Sequence, residues 1–374
     1  MKNICDKKKC TGCAACMNRC PHQCISMHES KGFGHLYPII NQEKCIDCGA
    51  CVKVCPVNNP IDLKKPLKAY AGIDKNEYEY KTSTSGGAAS AFARFIIEDG
   101  GVVYGCAVRS NMDICHVRIE EINDLVKLKG SKYVQSSIGF CYKKVKEDIK
   151  SGRKVLFVGT PCQVAGVKSF IGKNDSLLYT IDLICHGVPS LAYLKRHILR
   201  VTGGRIPDEI IFRQDLYLLL LLQNNDVVYR SELRKNRYAD AYYNAFFDGF
   251  SYRNSCYSCR YACKERASDI TIGDFWGLKG DLPIKHPYGC SVIIPLSAKG
   301  QSLIEKIKPK FHLFERTINE AVEGNSQLNS PMKLDWRIKT YHVIAPILGM
   351  DFSYHLLVID KILKRLIKKI LRKK

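Results

Sequence analysis

The chain has 374 residues, of which 46% are hydrophobic, and a formal net charge of +22. That size and composition exclude a disordered chain and suit a small domain joined to a large one. The longest apolar run, Leu216 to Leu222, is far shorter than the roughly 20 residues that span a bilayer and reads as a buried strand. MKNICDKKKC has the charge of a secretory signal without its apolar stretch, so a cytoplasmic location is expected.

The first 55 residues hold ten of the 19 cysteines. In a cytosolic chain such density points to metal or redox chemistry rather than disulfides. CTGCAACMNRCP, residues 10 to 21, has the spacing C-x2-C-x2-C-x3-C-P, and the same spacing returns 35 residues later at Cys45, Cys48, Cys51, Cys55 and Pro56. In a run of this kind three close cysteines wrap one 4Fe-4S cubane, and the cysteine before proline completes the other. The predicted sets are Cys10, Cys13, Cys16 and Cys55, and Cys45, Cys48, Cys51 and Cys20. Zinc sites, the rival reading, rarely double this spacing with a Cys-Pro each time. Cys5 and Cys24 fall outside the pattern and read as bystanders. GFGHLYPIINQEK between the runs reads as a hairpin or short strands. Each oxidised cubane with four thiolates carries about −2, so the chain stays strongly basic and calls for an acidic partner: nucleic acid, anionic lipid or an anionic cofactor.

The proline-rich stretch after Pro56 reads as a linker. Beyond it helix and strand signals alternate, as in a mixed α/β domain. A helix is predicted over Ala88 to Glu98 and another between Gln135 and Ile149; GGVVYGCAV, KVLFVG and LLYTIDLICHG are short buried strands. The tail VIDKILKRLIKKILRKK sets apolar pairs Val358/Ile359, Ile362/Leu363, Leu366/Ile367 and Ile370/Leu371 among lysines and arginines, a basic amphipathic helix suited to a membrane surface or a partner.

A second cysteine group, Cys256, Cys259 and Cys263, has the spacing C-x2-C-x3-C. It supplies three ligands for a third cluster or a zinc ion, with Cys185 and Cys162 as candidates for a fourth. In GTPCQVAG, Thr160 can cap a helix, Pro161 fits its first turn, and Cys162 then sits at the positive helix end, which favours a thiolate and draws phosphate or flavin oxygens. STSGGAAS, 83 to 90, places hydroxyls and glycines just before a helix, where backbone N–H groups can cradle a phosphate. His186 lies beside Cys185. Asp269 and Asp274 read as turn caps and Trp276 as core. No G-x-G-x-x-G follows a strand.

STSGG, KGSKYVQS, GTPCQ, IDLICHGVPS and CYSC…SDITIGDFWG, in this order, resemble the coenzyme F420 hydrogenase/dehydrogenase beta-subunit family over roughly residues 67 to 350. With a two-cluster ferredoxin module in front, the chain is similar to the electron-input subunits of F420H2 dehydrogenases. The resemblance implies FAD with an iron–sulfur cluster beside it, and hydride exchange with a deazaflavin or another two-electron partner. It implies a flavin region lined by Ser85, Gly86, Gly87, Lys132, Thr160, Pro161 and Gln163, and third-cluster ligands drawn from Cys162, Cys185, Cys256 and Cys259. Cys263 lies outside the matched part, so the fourth ligand stays open among Cys162, Cys185 and Cys263. Cys162 and His186 are the candidates for the catalytic centre. The substrate does not transfer with the fold.

The expected fold class is α+β: a small ferredoxin-like module with two 4Fe-4S clusters over 1–60, a linker over 61–66, a larger mixed α/β flavin-binding domain over 67–350, and a basic amphipathic helix over 351–374. The expected function is that of an iron–sulfur flavoprotein oxidoreductase, with two 4Fe-4S clusters, a third, and FAD as cofactors, and F420 or another hydride carrier as substrate. The expected partners are an external carrier such as ferredoxin or a partner reductase, with an anionic membrane surface for the tail, peripheral at the inner membrane. The rivals are a non-catalytic electron-transfer subunit of a larger reductase and an iron–sulfur nucleic-acid-binding protein. The second lacks aromatic-basic interleaving.

Overall fold

The computed structural model of the chain describes residues 3–172, 175–214, 217–232 and 240–371, without the side chains of 217–218 and 365–371. Leu216, and the side chains of Leu366, Ile367, Ile370 and Leu371, lie outside the described residues.

The cysteine repeat is also a repeat of backbone. Gly12 (φ +69°) and Ala14 (φ +59°) take the left-handed conformation before the helix Ala15–Arg19; Asp47 (φ +53°) and Gly49 (φ +71°) do so before Ala50–Lys53. The offset is again 35. Two left-handed residues in three curl the chain, and a glycine takes one of the two positions each time. Between the two loops β1 (Ile25–Glu29) and β2 (Leu36–Ile40) pair antiparallel, with Ile25 opposite Ile40.

After the linker the chain lays down β3 (Ala69–Asp74), β4 (Val102–Arg109), β5 (Asp113–Ile119), β6 (Val155–Gly159) and β7 (Leu178–Leu183). Then β8 (Glu209–Ile211), β9 (Tyr217–Gln223) and β10 (Asp226–Glu232) form a separate antiparallel sheet. The chain returns to the main sheet with β11 (Ile270–Asp274), β12 (Ser291–Pro295) and β13 (Phe311–Arg316). The eight main strands stand in the order β13-β3-β12-β11-β7-β6-β4-β5. The four central ones, β11, β7, β6 and β4, are parallel, and the outer ones are added antiparallel. VVY, VLF and LYTID are covered on both faces, which is why they read as nearly continuous apolar runs.

The helix Ala88–Glu98 forms where predicted. The helix predicted from Gln135 begins only at Cys141 and ends at Lys150. Upstream, the Gln135 and Ser137 N–H groups donate to the carbonyls of Pro189 and Ile114, and Gly139 turns at φ +52°, so tertiary bonds hold this segment extended. Trp276, expected in the core, is exposed beside the Arg213 guanidinium.

The tail forms the helix Met350–Leu371. Its apolar pairs split between two faces: Val358 is buried and Ile359 exposed, and Ile362 is half-buried and Leu363 exposed. The inner face, with Tyr354 and Val358, joins the core around Tyr242, Phe250 and Tyr341. Among the described residues no helix is long and apolar enough to cross a membrane.

One core cluster runs through both parts of the protein. It contains Cys13, Cys16 and Met17 of the first cysteine loop together with Tyr142, Val145, Val164 and Phe170 from helices on the main sheet.

Candidate functional site

The chain brings together three cysteine groups and one cavity. Cys10, Cys13, Cys16 and Cys55 line one small hollow. Cys20, Cys45, Cys48 and Cys51 line another. Cys55 and Cys20 have thus each crossed to the other run's hollow. Each hollow also has a fifth cysteine. Cys5 lines the first, where it bonds to Cys10 and Cys55 and so helps lower both thiols to about 6. Cys24 lines the second, with its Sγ 3.3 Å from Cys20 Sγ. Neither is the bystander that its place outside the spacing suggested. The signal available was proximity alone: Cys5 precedes Cys10 by five residues and Cys24 follows Cys20 by four.

The third group is assembled from distant segments. β6 and β7 are neighbours, with Gly159 opposite Asp182, so the turn after one and the segment after the other bring Cys162 and Cys185 to the same edge. The short helix Asn254–Ser258 carries Cys256, and Cys259 caps its end. The thiols are close enough to feel one another. Burial, with Cys162 and Cys259 nearby, pushes Cys185 up to about 12. Burial also raises Cys256, beside Cys185, Cys259 and Cys162. Cys259 is raised by burial and by Cys162 to about 11. Cys263 stands apart: its Sγ donates to the carbonyls of Glu265 (3.1 Å) and Arg260 (3.3 Å), and no cysteine is among its charged neighbours. Those two carbonyls tie the Cys263 thiol into its own loop, whereas Cys162 lies among the other three cysteines.

A buried cation adjoins the third group. Arg266 is 1% exposed, and its Nε and Nη2 have no hydrogen-bond partner among the described residues. Its charge acts on Cys185 and Cys259. Buried guanidinium N–H groups without acceptors are costly. The buried Asp182 carboxylate lies within electrostatic reach of Arg266, and four thiols are a donor set of the kind that holds an iron–sulfur cluster.

A cavity of about 220 Å³ opens at the C-terminal ends of β6, β7 and β11, the place where parallel sheets bind ligands. Ser85, Gly87, Lys132, Thr160 and Gln163 line it; Gly86, Pro161, Cys162 and His186 do not. Gly86 sits behind the wall, where an added Cβ would lie 2.0 Å from the Gly72 carbonyl oxygen. Pro161 is the first residue of the helix Pro161–Ile171. His186, expected at the catalytic centre, faces Gln327 at 2.6 Å and packs against Phe246 instead. Cys162 lies behind the wall, its Sγ 3.3 Å from the cavity-lining Thr160 Oγ1. Lys132 is held by the carbonyls of Lys129 (2.6 Å) and Leu128 (2.9 Å), and burial lowers its pKa.

Behind the cavity runs a chain of hydrogen bonds that sequence reasoning missed. His116 Nε2 donates to the Val158 carbonyl at 3.0 Å, so its Nδ1 accepts from Ser136 Oγ at 3.0 Å. Ser136 Oγ accepts from Gln163 Nε2 (3.0 Å), and Gln163 Oε1 accepts from the Thr160 hydroxyl and N–H, both at 3.0 Å. Each direction follows from the last. Burial lowers His116 to about 4, so the ring stays neutral. A lone histidine inside the strand DICHVRI gave no signal of this. The cavity joins hydroxyls and backbone amides to an apolar face of Val103, Leu125, Leu128, Val134 and Ile272, a lining that suits a flat heteroaromatic ring.

Residues 152–320 match the C-terminal family of the coenzyme F420 hydrogenase/dehydrogenase beta subunit. Through them the chain carries the C-terminal domain described for that beta-subunit family. Residues 9–59 match the 4Fe-4S dicluster domain, so the chain is an iron–sulfur protein of electron transfer, related to oxidoreductase subunits. No curated protein matches the chain. Among solved structures it is similar to the xenon-derivatised F420-reducing nickel–iron hydrogenase complex from Methanosarcina barkeri. The identity is 15%, over 75% of this chain and 93% of that one, with a TM-score of 0.46.

Proposed function

We propose that this protein is an iron–sulfur flavoprotein oxidoreductase that passes electrons between a two-electron partner and one-electron carriers. The observation that carries the reading is the order of the groups. Thr160 lines the cavity and touches Cys162. Cys162 is the second residue of the helix Pro161–Ile171, and one turn on, an added Cβ at Gly166 would lie 3.3 Å from Cys13 Sγ. Cavity, third cysteine group and first ferredoxin hollow are thus consecutive along one helix. With this reading we propose the division of the chain into 1–60, 61–66, 67–350 and 351–374.

In this reading Cys162, Cys185, Cys256 and Cys259 hold a third cluster. The hydroxyls before the helix Ala88–Glu98 and the first turn of the helix Pro161–Ile171 hold an FAD. A flavin bound there would convert a two-electron exchange into one-electron exchanges. The His116–Ser136–Gln163–Thr160 chain fixes the Thr160 hydroxyl between that ring and the cysteines. A deazaflavin such as F420, or another hydride carrier, is the proposed substrate. The family's own description as a beta subunit supports a partner reductase, with a ferredoxin-like carrier as the alternative acceptor. The outer face of the C-terminal helix, with Phe352 60% exposed, supports contact with an anionic membrane surface.

The test is anaerobic purification followed by iron, sulfide and flavin assays. About 12 iron atoms and one flavin per chain are expected, against about 8 iron atoms for two cubanes alone. No flavin after reconstitution would leave a non-catalytic electron-transfer subunit and end the enzyme reading.

A further inference from the structure

Arg253 is 1% exposed and sits between the first ferredoxin hollow and the third cysteine group. It lies three residues before Cys256, and the Cys256 N–H donates to its carbonyl at 2.8 Å. Its side chain reaches the other way. Nε donates to the Cys10 carbonyl at 2.7 Å, Nη1 to Gln135 Oε1 at 3.1 Å, and Nη2 to the Leu36 carbonyl at 2.7 Å and to Cys10 Sγ at 3.7 Å. The guanidinium lies over the Tyr37 ring, 4.1 Å from its centre.

All these side-chain partners are neutral groups or sulfur. Among the described residues no carboxylate forms an ion pair with Arg253. A fully buried guanidinium without a counter-ion costs several kcal/mol by order of magnitude, so its burial implies an anion that the side chains themselves do not supply. Four-thiolate cubanes on either side are anionic and meet that need.

We propose that Arg253 is the buried counter-charge of the cluster held by Cys10, Cys13, Cys16 and Cys55 and raises its reduction potential above that of its twin. The proposal rests on the cluster assignment above. Reduction adds one electron to a cubane, and a fixed cation with an N–H directed at a ligand sulfur favours the more negative state. Among the described residues no arginine hydrogen-bonds Cys45, the matching ligand 35 residues after Cys10; its Sγ lies 3.5 Å from Asp47 Oδ1 instead. The repeated fold thus gives the two equivalent sulfurs different neighbours.

The experiment is an EPR-monitored redox titration of the anaerobic holoprotein, with iron counted on every sample. The parent must give two unequal midpoints for the ferredoxin pair; a single shared midpoint overturns the proposal without any variant. Arg253→Met is expected to lower the upper midpoint and leave the lower one in place. Arg253→Lys, which keeps the charge, restores most of the gap. Full iron with unmoved midpoints in Arg253→Met overturns the proposal. If Arg253→Met does not fold, Arg253→Gln, which keeps an N–H donor without the charge, takes its place, and unmoved midpoints there overturn it. Failure of the cluster assignment itself would look different: fewer than about 8 iron atoms in the parent.

Discussion

His197 and Asp351 are 154 residues apart in the chain, yet Nδ1 and Oδ2 stand 3.0 Å apart, joining the helix Leu191–Val201 to the first turn of the C-terminal helix. Asp240 faces the other ring nitrogen at 3.3 Å, and Arg200 and Tyr193 also bond Asp351. Burial alone would lower the His197 pKa; the two carboxylates overrule it and raise it from 6.5 to about 9. Burial would raise Asp351; His197, Arg200 and Tyr193 hold it at about 2 instead of 3.8. The His197 contribution is complete below pH 6.5 and is lost as pH rises through 9. The Asp351 contribution is complete above 3.8 and is lost as pH falls through 2. Asp351→Asn is therefore expected to cost about 2 kcal/mol near pH 6, with the difference narrowing above pH 9 and below pH 3. Thermal unfolding of both proteins across pH checks it; a constant difference would mean the contact is not ionic.

Serine in place of Cys162, Cys185, Cys256 or Cys259 should each reduce the bound iron from about 12 to about 8 atoms per chain. Cys263→Ser should leave it near 12, since that thiol is spent on carbonyls of its own loop. Iron analysis of the five variants, purified side by side, decides between Cys162 and Cys263.

Gly86→Ala would place a methyl 2.0 Å from the Gly72 oxygen and 2.5 Å from the Ser291 nitrogen. Both are backbone atoms of the main sheet, which cannot step aside as a flexible side chain would. A loss of about 2–3 kcal/mol is expected, measured by denaturant unfolding. Flavin content per folded chain should stay unchanged, because Gly86 lies behind the cavity wall and not in it.

The exposed apolar residues Phe352, Leu356, Ile359 and Leu363 follow one another at i, i+4, i+7 and i+11 on the C-terminal helix, and Ile347, 79% exposed, stands on the helix before it. Eight lysines and arginines follow Asp360. Vesicles rich in anionic lipid should float the parent and not Phe352→Glu/Ile359→Glu, and truncation after Asp360 should weaken binding at least about tenfold. Equal flotation of all three would remove the membrane as partner.

What the sequence revealed and what it hid differ in range. The ferredoxin ligands were legible because their geometry is local: curling the chain at Gly12 and Ala14 needs no help from elsewhere. The group around Cys162 was half legible. GTPC and ICHG both end apolar runs, but that β6 and β7 are neighbours is a property of the sheet, and only that adjacency puts Cys162 with Cys185. Nothing local distinguishes Cys263, with its ligand-like spacing, from Cys259. His116, Ser136 and Arg253 were invisible for the same reason. Each is unremarkable among its chain neighbours and acts on residues 20 or more positions away.

The core that Cys13 and Cys16 share with Tyr142, Val145 and Val164 means that the ferredoxin part is not a cassette to be cut away or grafted elsewhere. Removing it would strip one flank of the main sheet's helices to water. Iron delivery then becomes a step of folding rather than a finishing touch.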